Sequence, residues 1–203
     1  MARGPADGVE LELNDGSWVC IRSIRPDDSG ALRRGFERLS DDSRYRRFLT
    51  PMPRLSDSQL AYMTEVDHRD HEAMIALDLA TPGEAVGVGR YVRDTSGDRA
   101  EAAVTVVDDW QGRGLGTALT RILAGRAAED GITRFTAILL ADNDAMVGLL
   151  GDLGEVAVTD RDGDTVEVEV PLAPEVTGDP ALRSVLRAVA SKPIDLARPP
   201  GRD

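Results

Sequence analysis

The chain has 203 residues, of which 41% are hydrophobic and 30% charged, so it is long enough to form one globular domain with a core, with or without a tail. Its formal net charge of −12 argues against nucleic acid as a partner, because affinity for nucleic acid depends on neutralising phosphates with Lys and Arg. No apolar run is long enough to span a membrane, and the N-terminus lacks the apolar centre of a signal peptide, so we expect no membrane partner. The single cysteine, Cys20, cannot form an internal disulfide, and we therefore expect a cytoplasmic protein.

The first third of the chain is predicted to form a β-hairpin followed by three helices. Apolar runs over residues 9–13 and 17–24 flank an Asp-Gly turn, which is typical of a hairpin. Apolar residues recur at helical spacing over residues 32–39, and an arginine-rich helix is expected over residues 41–49. A capping box at residues 56–59 predicts the start of the third helix.

The elements that follow predict the fold class. Three strands joined by turn-forming residues precede a long helix, a strand, a short helix and a final hairpin. Their predicted ranges are 73–79, 85–93, 101–107, 114–129, 135–140, 143–150, 156–158 and 165–170. This order predicts an α+β fold in which helices flank a mixed, mostly antiparallel central sheet. We assign residues 1–174 to this domain and residues 175–203 to a C-terminal tail with a short helix.

The most informative segment is a glycine-rich turn between the third of these strands and the long helix. It reads Gln111-Gly112-Arg113-Gly114-Leu115-Gly116-Thr117. Such a turn presents main-chain N–H groups and a helix N-terminus to one small volume, which suits a pyrophosphate, and Arg113 would add a positive charge. The spacing matches neither the P-loop nor the dinucleotide-binding fingerprint. The alternative is a simple turn without a ligand.

This turn resembles the acyl-CoA-binding loop of the GNAT superfamily of N-acyltransferases, since Gln111, Gly114 and Gly116 occupy its three defining positions. Residues 100–118 and three upstream segments are similar to the catalytic domain of bacterial Pat-type protein lysine acetyltransferases. The upstream segments are residues 24–28, 39–48 and 67–76. The resemblance implies the GNAT acyl-CoA N-acyltransferase fold, acetyl-CoA as co-substrate, no metal, and a monomer or homodimer.

The same resemblance implies roles for individual residues. Glu101, near the start of its strand, occupies the position of the proposed general base, and the alternative is a solvent-facing residue at a strand end. The main chain of residues 104–107 would bind the thioester carbonyl and pantetheine near a β-bulge, where two adjacent strands splay apart. Asn143 would contact pantetheine, or it is simply a helix N-cap. The expected CoA-binding residues are Val104, Val106, Val107, Gln111, Gly112, Arg113, Gly114, Leu115, Gly116, Thr117 and Asn143.

The acceptor and the remaining polar residues leave alternatives open. A protein lysine is the preferred acceptor because an acidic surface would attract it, and a small amine is the rival. A third alternative is an acyl-CoA-binding sensor without turnover. No general acid is assigned, because the three tyrosines lie far upstream of the helix that supplies one in many relatives. His68 would serve as a cap or at the acceptor site, and the arginines at 44–47 would form a solvated face, hold an acidic partner or bind the CoA 3′-phosphate.

Overall fold

The computed structural model describes residues 8–172. In this part of the chain the strands are β1 (Val9–Glu12), β2 (Trp18–Ser23), β3 (His71–Asp78), β4 (Ala85–Arg93), β5 (Arg99–Val106), β6 (Arg134–Leu140), β7 (Ala157–Asp162) and β8 (Thr165–Pro171). The α-helices are α1 (Ser29–Glu37), α2 (Asp41–Phe48), α3 (Asp57–Thr64), α4 (Leu115–Glu129) and α5 (Asp144–Gly151), and short 3-10 helices cover Pro26–Asp28 and Asp108–Trp110. None of the helices within residues 8–172 has both the length and the apolar character needed to cross a bilayer. The predicted tail, residues 175–203, lies outside the described residues.

The described strands form one sheet in the order β1-β2-β3-β4-β5-β6-β8-β7. Neighbouring strands are antiparallel except β5 and β6, which run parallel because α4 connects them by a crossover. The predicted α+β class and the mixed, mostly antiparallel sheet are therefore confirmed. The predicted elements that fall within the described residues are all present with small changes in their bounds. The largest change is in β7, which was predicted over residues 156–158 and extends over Ala157–Asp162.

Helices cover both faces of the sheet, and the alternation of side chains along β4 places them there. Val88 packs against the apolar cluster beneath α1 and α3, whereas Tyr91 belongs to the cluster beneath α4. Gly87 lets α4 approach closely, since a Cβ at this position would lie 2.9 Å from Leu119 Cδ1. Leu119 is fully buried, and burial of a leucine side chain contributes about 1.5–3 kcal/mol. This packing fixes the N-terminus of α4 at the end of β5.

Local signals set the starts of the helices near the cleft described below. The capping box predicted for α3 is present, because Ser56 and Gln59 each accept a hydrogen bond from the other's main-chain N–H. At α2, Ser40 Oγ accepts a hydrogen bond from Ser43 N–H at 3.1 Å, so the helix begins at Asp41. Acidic residues in the first turn of α2 and arginines in its last turn also suit the helix dipole.

Candidate functional site

Strands β5 and β6 separate soon after they pair, and the gap between them forms a cleft. Their parallel register covers three residue pairs and ends at Glu101 and Thr136. Beyond this point β4 continues to hold β5 and β8 continues to hold β6, so the two parts of the sheet diverge. The cleft has a volume of about 810 Å³, and its walls come from residues 101–106, residues 137–139, the glycine-rich turn, α2 and α5.

The main chain of β5 presents alternate residues to the cleft. Val107 N–H donates to the Val86 carbonyl of β4 at 3.0 Å, so odd-numbered residues of this strand direct their main-chain groups towards β4. Main-chain groups of Val104 and Val106 therefore face the cleft. The Val107 N–H does not face it, and the Val107 side chain is buried in the core. The register between β4 and β5 contains no shift, so the β-bulge implied by the resemblance is not found along this pair.

The glycine-rich turn offers a run of main-chain donors. Within residues 8–172, no carbonyl or side chain accepts a hydrogen bond from the N–H groups of residues 112–117. Gly112 and Gly114 have φ angles of 74° and 88°, in the left-handed region that favours glycine. The first N–H groups of α4 belong to the same run, so the positive end of the helix dipole adds to them. This arrangement suits an anion such as a diphosphate.

Two side chains support the glycine-rich turn. Gln111 Nε2 donates to the Val106 carbonyl at 3.1 Å and so joins the turn to the edge of β5. Asn14 lies in the turn between β1 and β2, and its main-chain N–H donates to the Arg113 carbonyl at 3.0 Å. Its side chain also fills the space beside Gly114, where a Cβ would come within 2.9 Å of Asn14 Nδ2. The β1–β2 turn therefore holds the glycine-rich turn in place.

Arg113 does not have the position that the sequence analysis expected, because its side chain does not line the cleft. Its guanidinium forms an ion pair with Asp15 at 2.8 Å and lies 4.6 Å from the centre of the Trp110 ring. It also donates to the Asp109 carbonyl. Because an opposite charge and an aromatic face hold this side chain elsewhere, the main-chain N–H groups and the Thr117 hydroxyl are the donors of the turn that remain for an anion.

Most of the other predicted binding residues do line the cleft, and they include Gln111, Gly112, Gly114, Gly116, Thr117 and Asn143. Asn143 is also the N-cap of α5, since its side chain accepts a hydrogen bond from Met146 N–H at 3.2 Å. The side chain of Leu115 is 1% exposed and lies in the core, so only its main-chain N–H belongs to the turn. The structure thus brings the predicted residues together except for Val107 and the side chains of Arg113 and Leu115.

Glu101 lies where β5 and β6 separate, and its side chain is exposed in the cleft. The strand between Glu101 and Val107 spans roughly 20 Å, so this carboxylate and the glycine-rich turn lie at opposite ends of a long cleft. In the described part of the chain, the Glu101 carboxylate has no hydrogen bond or ion pair, although the main chain of Glu101 belongs to the sheet. Burial lowers the pKa of Arg47 on α2, and the negative charge of Glu101 opposes that shift. A carboxylate in this position can accept a proton from a bound group.

Helix α2 borders the cleft and is tied to the ends of both diverging strands. Asp108, which follows β5, accepts hydrogen bonds from Ser40 N–H at 2.7 Å and from the Ser43 hydroxyl at 2.6 Å. Arg46 pairs with Asp142, which follows β6, at 3.0 Å. These partners are 65 to 96 residues apart, so no local signal in the sequence could have identified them. Arg44, which donates to the Glu37 carbonyl, and Arg46 are therefore engaged with the domain rather than forming a solvated face.

The histidines and tyrosines do not line the cleft. His68 Nδ1 lies 2.8 Å from Glu72 Oε1, and Glu72 is fully buried. The His68 carbonyl accepts a hydrogen bond from Arg126 near the C-terminal end of α4, far from the turn at its N-terminus. The Tyr91 hydroxyl donates to Asp130 at 2.9 Å, also beyond the end of α4. His68 is therefore part of a buried polar network remote from the cleft.

One residue near the site was missed by the sequence analysis. Arg90 lies within the otherwise apolar segment 85–92 of β4 and is only 7% exposed. Its guanidinium donates to the Met63 carbonyl at 2.6 Å. The sequence did contain one signal, a single charged residue inside an otherwise apolar strand, which is unusual because charged side chains are rarely buried.

Comparison with known proteins gives three consistent matches. The chain matches the model of the acetyltransferase (GNAT) family over residues 34–154. It is 33% identical over 188 residues to the acetyltransferase Pat of Mycolicibacterium smegmatis, an alignment that covers 92% of this chain and 56% of that protein. It is 35% identical over 155 residues to the acetyltransferase PA5475 of Pseudomonas aeruginosa, covering 75% of this chain and 83% of that protein. This chain therefore spans just over half of the length of the Pat relative.

The solved GNAT domain of S. lividans PAT has the same architecture. The two structures superpose with a TM-score of 0.75 at 34% identity, over 84% of this chain and 100% of that one. The fold predicted from the sequence is therefore confirmed. All the residues that line the cleft fall within the segment 34–154 that the family model matches.

Proposed function

Because this chain belongs to the GNAT acetyltransferase family, we propose that it transfers an acetyl group from acetyl-CoA to the side-chain amine of a protein lysine. The observation that carries the proposal is a splayed cleft with unpaired N–H groups at one end and Glu101 at the other. The similarity to Pat supports a protein acceptor. The net charge of −12 also supports it, because an acidic protein attracts a cationic lysine.

Acetyl-CoA would lie along β5 with its diphosphate in the glycine-rich turn. The N–H groups of residues 112–117 would donate to the phosphate oxygens. The main-chain groups of Val104 and the N–H of Val106 would pair with the amides of pantetheine, while the Val106 carbonyl accepts from Gln111. The thioester would then lie near Glu101, where the strands begin to diverge.

Glu101 would act as the general base. A free lysine has a pKa of about 10.4, so near neutral pH its reactive neutral form lies roughly 4–5 kcal/mol above the ammonium form. Glu101 would take the proton, directly or through one water, as the amine nitrogen forms a bond to the thioester carbon. The C–S bond then breaks and CoA leaves as a thiolate. Because a thiol has a pKa of about 8.5, the thiolate can leave without a dedicated acid.

The test measures CoA release from acetyl-CoA with a lysine peptide, together with acetyl-CoA binding by calorimetry. Replacing Glu101 with Gln removes the base and keeps the size of the side chain. We expect Glu101→Gln to lower kcat/KM by about 10²–10⁴-fold while the affinity for acetyl-CoA is unchanged. The matched control is Glu10→Gln, an exposed strand glutamate on β1 at the far edge of the sheet, and it should retain full activity.

Other outcomes would favour the rival functions. Release of CoA only with small amines would identify a small-amine acetyltransferase. Tight binding of acetyl-CoA without release against a broad panel of amines would identify a sensor. No binding of either acetyl-CoA or CoA would contradict the assignment of the cleft itself.

A further inference from the structure

Two arginines lie next to Glu101 on the face of the sheet that α2 and α3 cover. Arg90 pairs with Ala103 across β4 and β5, and Glu101 lies two residues before Ala103 on the same face. Arg90 and Glu101 are therefore diagonal neighbours, roughly 7–8 Å apart between Cα atoms. Arg47 reaches the same region from α2 and lines the cleft beside Glu101. We call Arg47 and Arg90 the arginine pair.

Within residues 8–172 the arginine pair forms no ion pair with a carboxylate, and Glu101 is the carboxylate beside Arg47 whose negative charge acts on it. Across residues 8–172, Arg90 forms one hydrogen bond, to the Met63 carbonyl, and Arg47 forms none. Arg47 instead stacks on the Phe48 ring, with its guanidinium 4.9 Å from the ring centre. Burial lowers the pKa of Arg90 to about 10, and the positive charge of Arg47 acts in the same direction. Two guanidinium groups that repel each other in a partly apolar site are stabilised when an anion binds between them.

Space for such an anion lies beside the pair. A small cavity of about 60 Å³ extends beneath α2, and both arginines line it together with apolar residues such as Met63 and Val88. It shares Arg47, Phe48, Ala103 and Thr105 with the large cleft, so the two spaces adjoin along β5, beginning two residues after Glu101. The apolar walls suit the methylene groups of an acidic side chain, and the guanidinium groups suit its carboxylate.

This region also lies on the side from which an acceptor must approach. Acetyl-CoA, as proposed above, would enter from the glycine-rich turn and fill the cleft as far as Glu101. The surface beyond Glu101 contains Tyr62, which is 58% exposed, and Val92, which is 36% exposed. The Tyr62 ring lies 5.0 Å from the ring of His71, and Arg90 lies 5.9 Å from the Tyr62 ring. His71 Nε2 is buried with no hydrogen-bond partner among residues 8–172, so this nitrogen is available to form a hydrogen bond with a bound group.

We infer that the arginine pair binds a carboxylate of the acceptor, so that the preferred substrate is an amine with an acidic group close by. For a protein acceptor, this means a lysine with Asp or Glu within about two residues along the chain. The inference rests on the proposed function, and it names the substrate class of the same site. A lone lysine would meet two positive charges near Glu101, whereas an acidic neighbour would compensate them.

The test uses pairs of lysine peptides that differ only by Glu or Gln, with the variable residue moved from two positions before the lysine to two positions after it. CoA release gives kcat/KM for each peptide. We expect the Glu peptide to be preferred by about tenfold or more at one of these positions, as is typical for a charge-assisted bidentate hydrogen bond. Equal values at every position would overturn the inference and leave the proposed function intact.

The variants show whether the arginine pair causes the preference. Arg47→Met should reduce the ratio between Glu and Gln peptides to about one, and Arg90→Lys should reduce it partly because lysine lacks the forked geometry. Because Arg90 is buried, thermal denaturation must first show that Arg90→Lys is folded at the assay temperature, and only then is its peptide preference compared with that of the parent chain. The control Arg121→Met removes an exposed charge from α4 on the other face of the sheet and should keep the full ratio. A ratio that survives Arg47→Met would contradict the inference.

Two further experiments distinguish this inference from its alternatives. If no lysine peptide reacts, the proposed function fails, and 6-aminohexanoate is compared with its amide as small acceptors. A tenfold preference for the carboxylate there would retain the inference for a small amine, and equal use or no reaction of both would overturn it. The second experiment compares the use of succinyl-CoA and butyryl-CoA by the parent chain and by Arg47→Met. If the variant changes the preference between these two acyl donors but not the preference between acceptors, the arginine pair binds the acyl group, and the inference is overturned.

Discussion

At the scale of single residues, Gly114 is the position where the glycine-rich turn tolerates least change. It has a φ angle of 88°, and a Cβ there would lie 2.9 Å from the Asn14 side chain. We expect Gly114→Ala to lower the free energy of unfolding by about 1–2 kcal/mol, the cost of a left-handed conformation for an L-residue. The displaced N–H groups should also weaken acetyl-CoA binding by about tenfold. Thermal denaturation and calorimetry measure the two effects.

Gly97 provides the matched control for this prediction. It has a φ angle of 85° in the turn between β4 and β5, and nothing lies within 4 Å of the position that a Cβ would occupy. Gly97→Ala should therefore show a similar loss of stability without any loss of acetyl-CoA affinity. If both variants bind acetyl-CoA like the parent chain, the main-chain donors of the turn do not hold the coenzyme.

At the scale of elements, the position of α2 depends on Asp108. Burial acts to raise the pKa of Asp108, but the hydrogen bonds from Ser43 and Ser40 outweigh it and hold the pKa below its ordinary value. A carboxyl group with a lowered pKa in the folded state stabilises the fold above its unfolded pKa of about 3.9, and this stability is lost as the pH falls through the folded pKa. We expect Asp108→Asn to lower the free energy of unfolding by about 1–3 kcal/mol at pH 7.

The pH dependence and a second variant check this prediction. The difference in stability between the parent chain and Asp108→Asn should be constant near neutral pH and should shrink below about pH 4. The control Asp41→Asn changes a fully exposed carboxylate in the first turn of the same helix and should change stability by less than about 0.5 kcal/mol. A difference that stays constant down to pH 2 would show that the charge of Asp108 does not hold α2.

At the scale of the whole molecule, the two proposed substrates should respond to salt in opposite directions. The chain has a net charge of −12, and several carboxylates line the cleft. The charge repels acetyl-CoA and attracts a lysine peptide, and both effects are screened as the Debye length falls to about 10 Å at 0.1 M salt. Stopped-flow association of acetyl-CoA should therefore become several-fold faster as salt is added, while KM for the peptide rises. Slower association of acetyl-CoA with salt would indicate a local cationic site instead of main-chain donors.

Much of the site could be predicted because its signals are local. The glycines at 112, 114 and 116 follow a strand and open a helix, and this order is sufficient to predict donors for an anion. The role of Glu101 was implied by the family resemblance, which matches a position near the start of the strand that precedes the turn. By contrast, the ion pair that holds the Arg113 side chain outside the cleft could not be predicted, since its partner Asp15 lies in a hairpin turn that is distant in the sequence. The N–H of Val107 was also misassigned, because the register with β4 decides which side of β5 it faces.

The sequence by itself therefore determined the order of strands and helices and the glycine-rich turn, because hydrophobic periodicity, capping residues and glycine conformations act over a few residues. The family was indicated separately, by the resemblance of the segment around Gln111, Gly114 and Gly116. Only the tertiary structure decided where β5 and β6 separate, how α2 is tied to both of them, and that Arg47 and Arg90 meet beside Glu101. Those features join residues tens of positions apart. Their geometry depends on strand register and on charges that only the folded chain brings together.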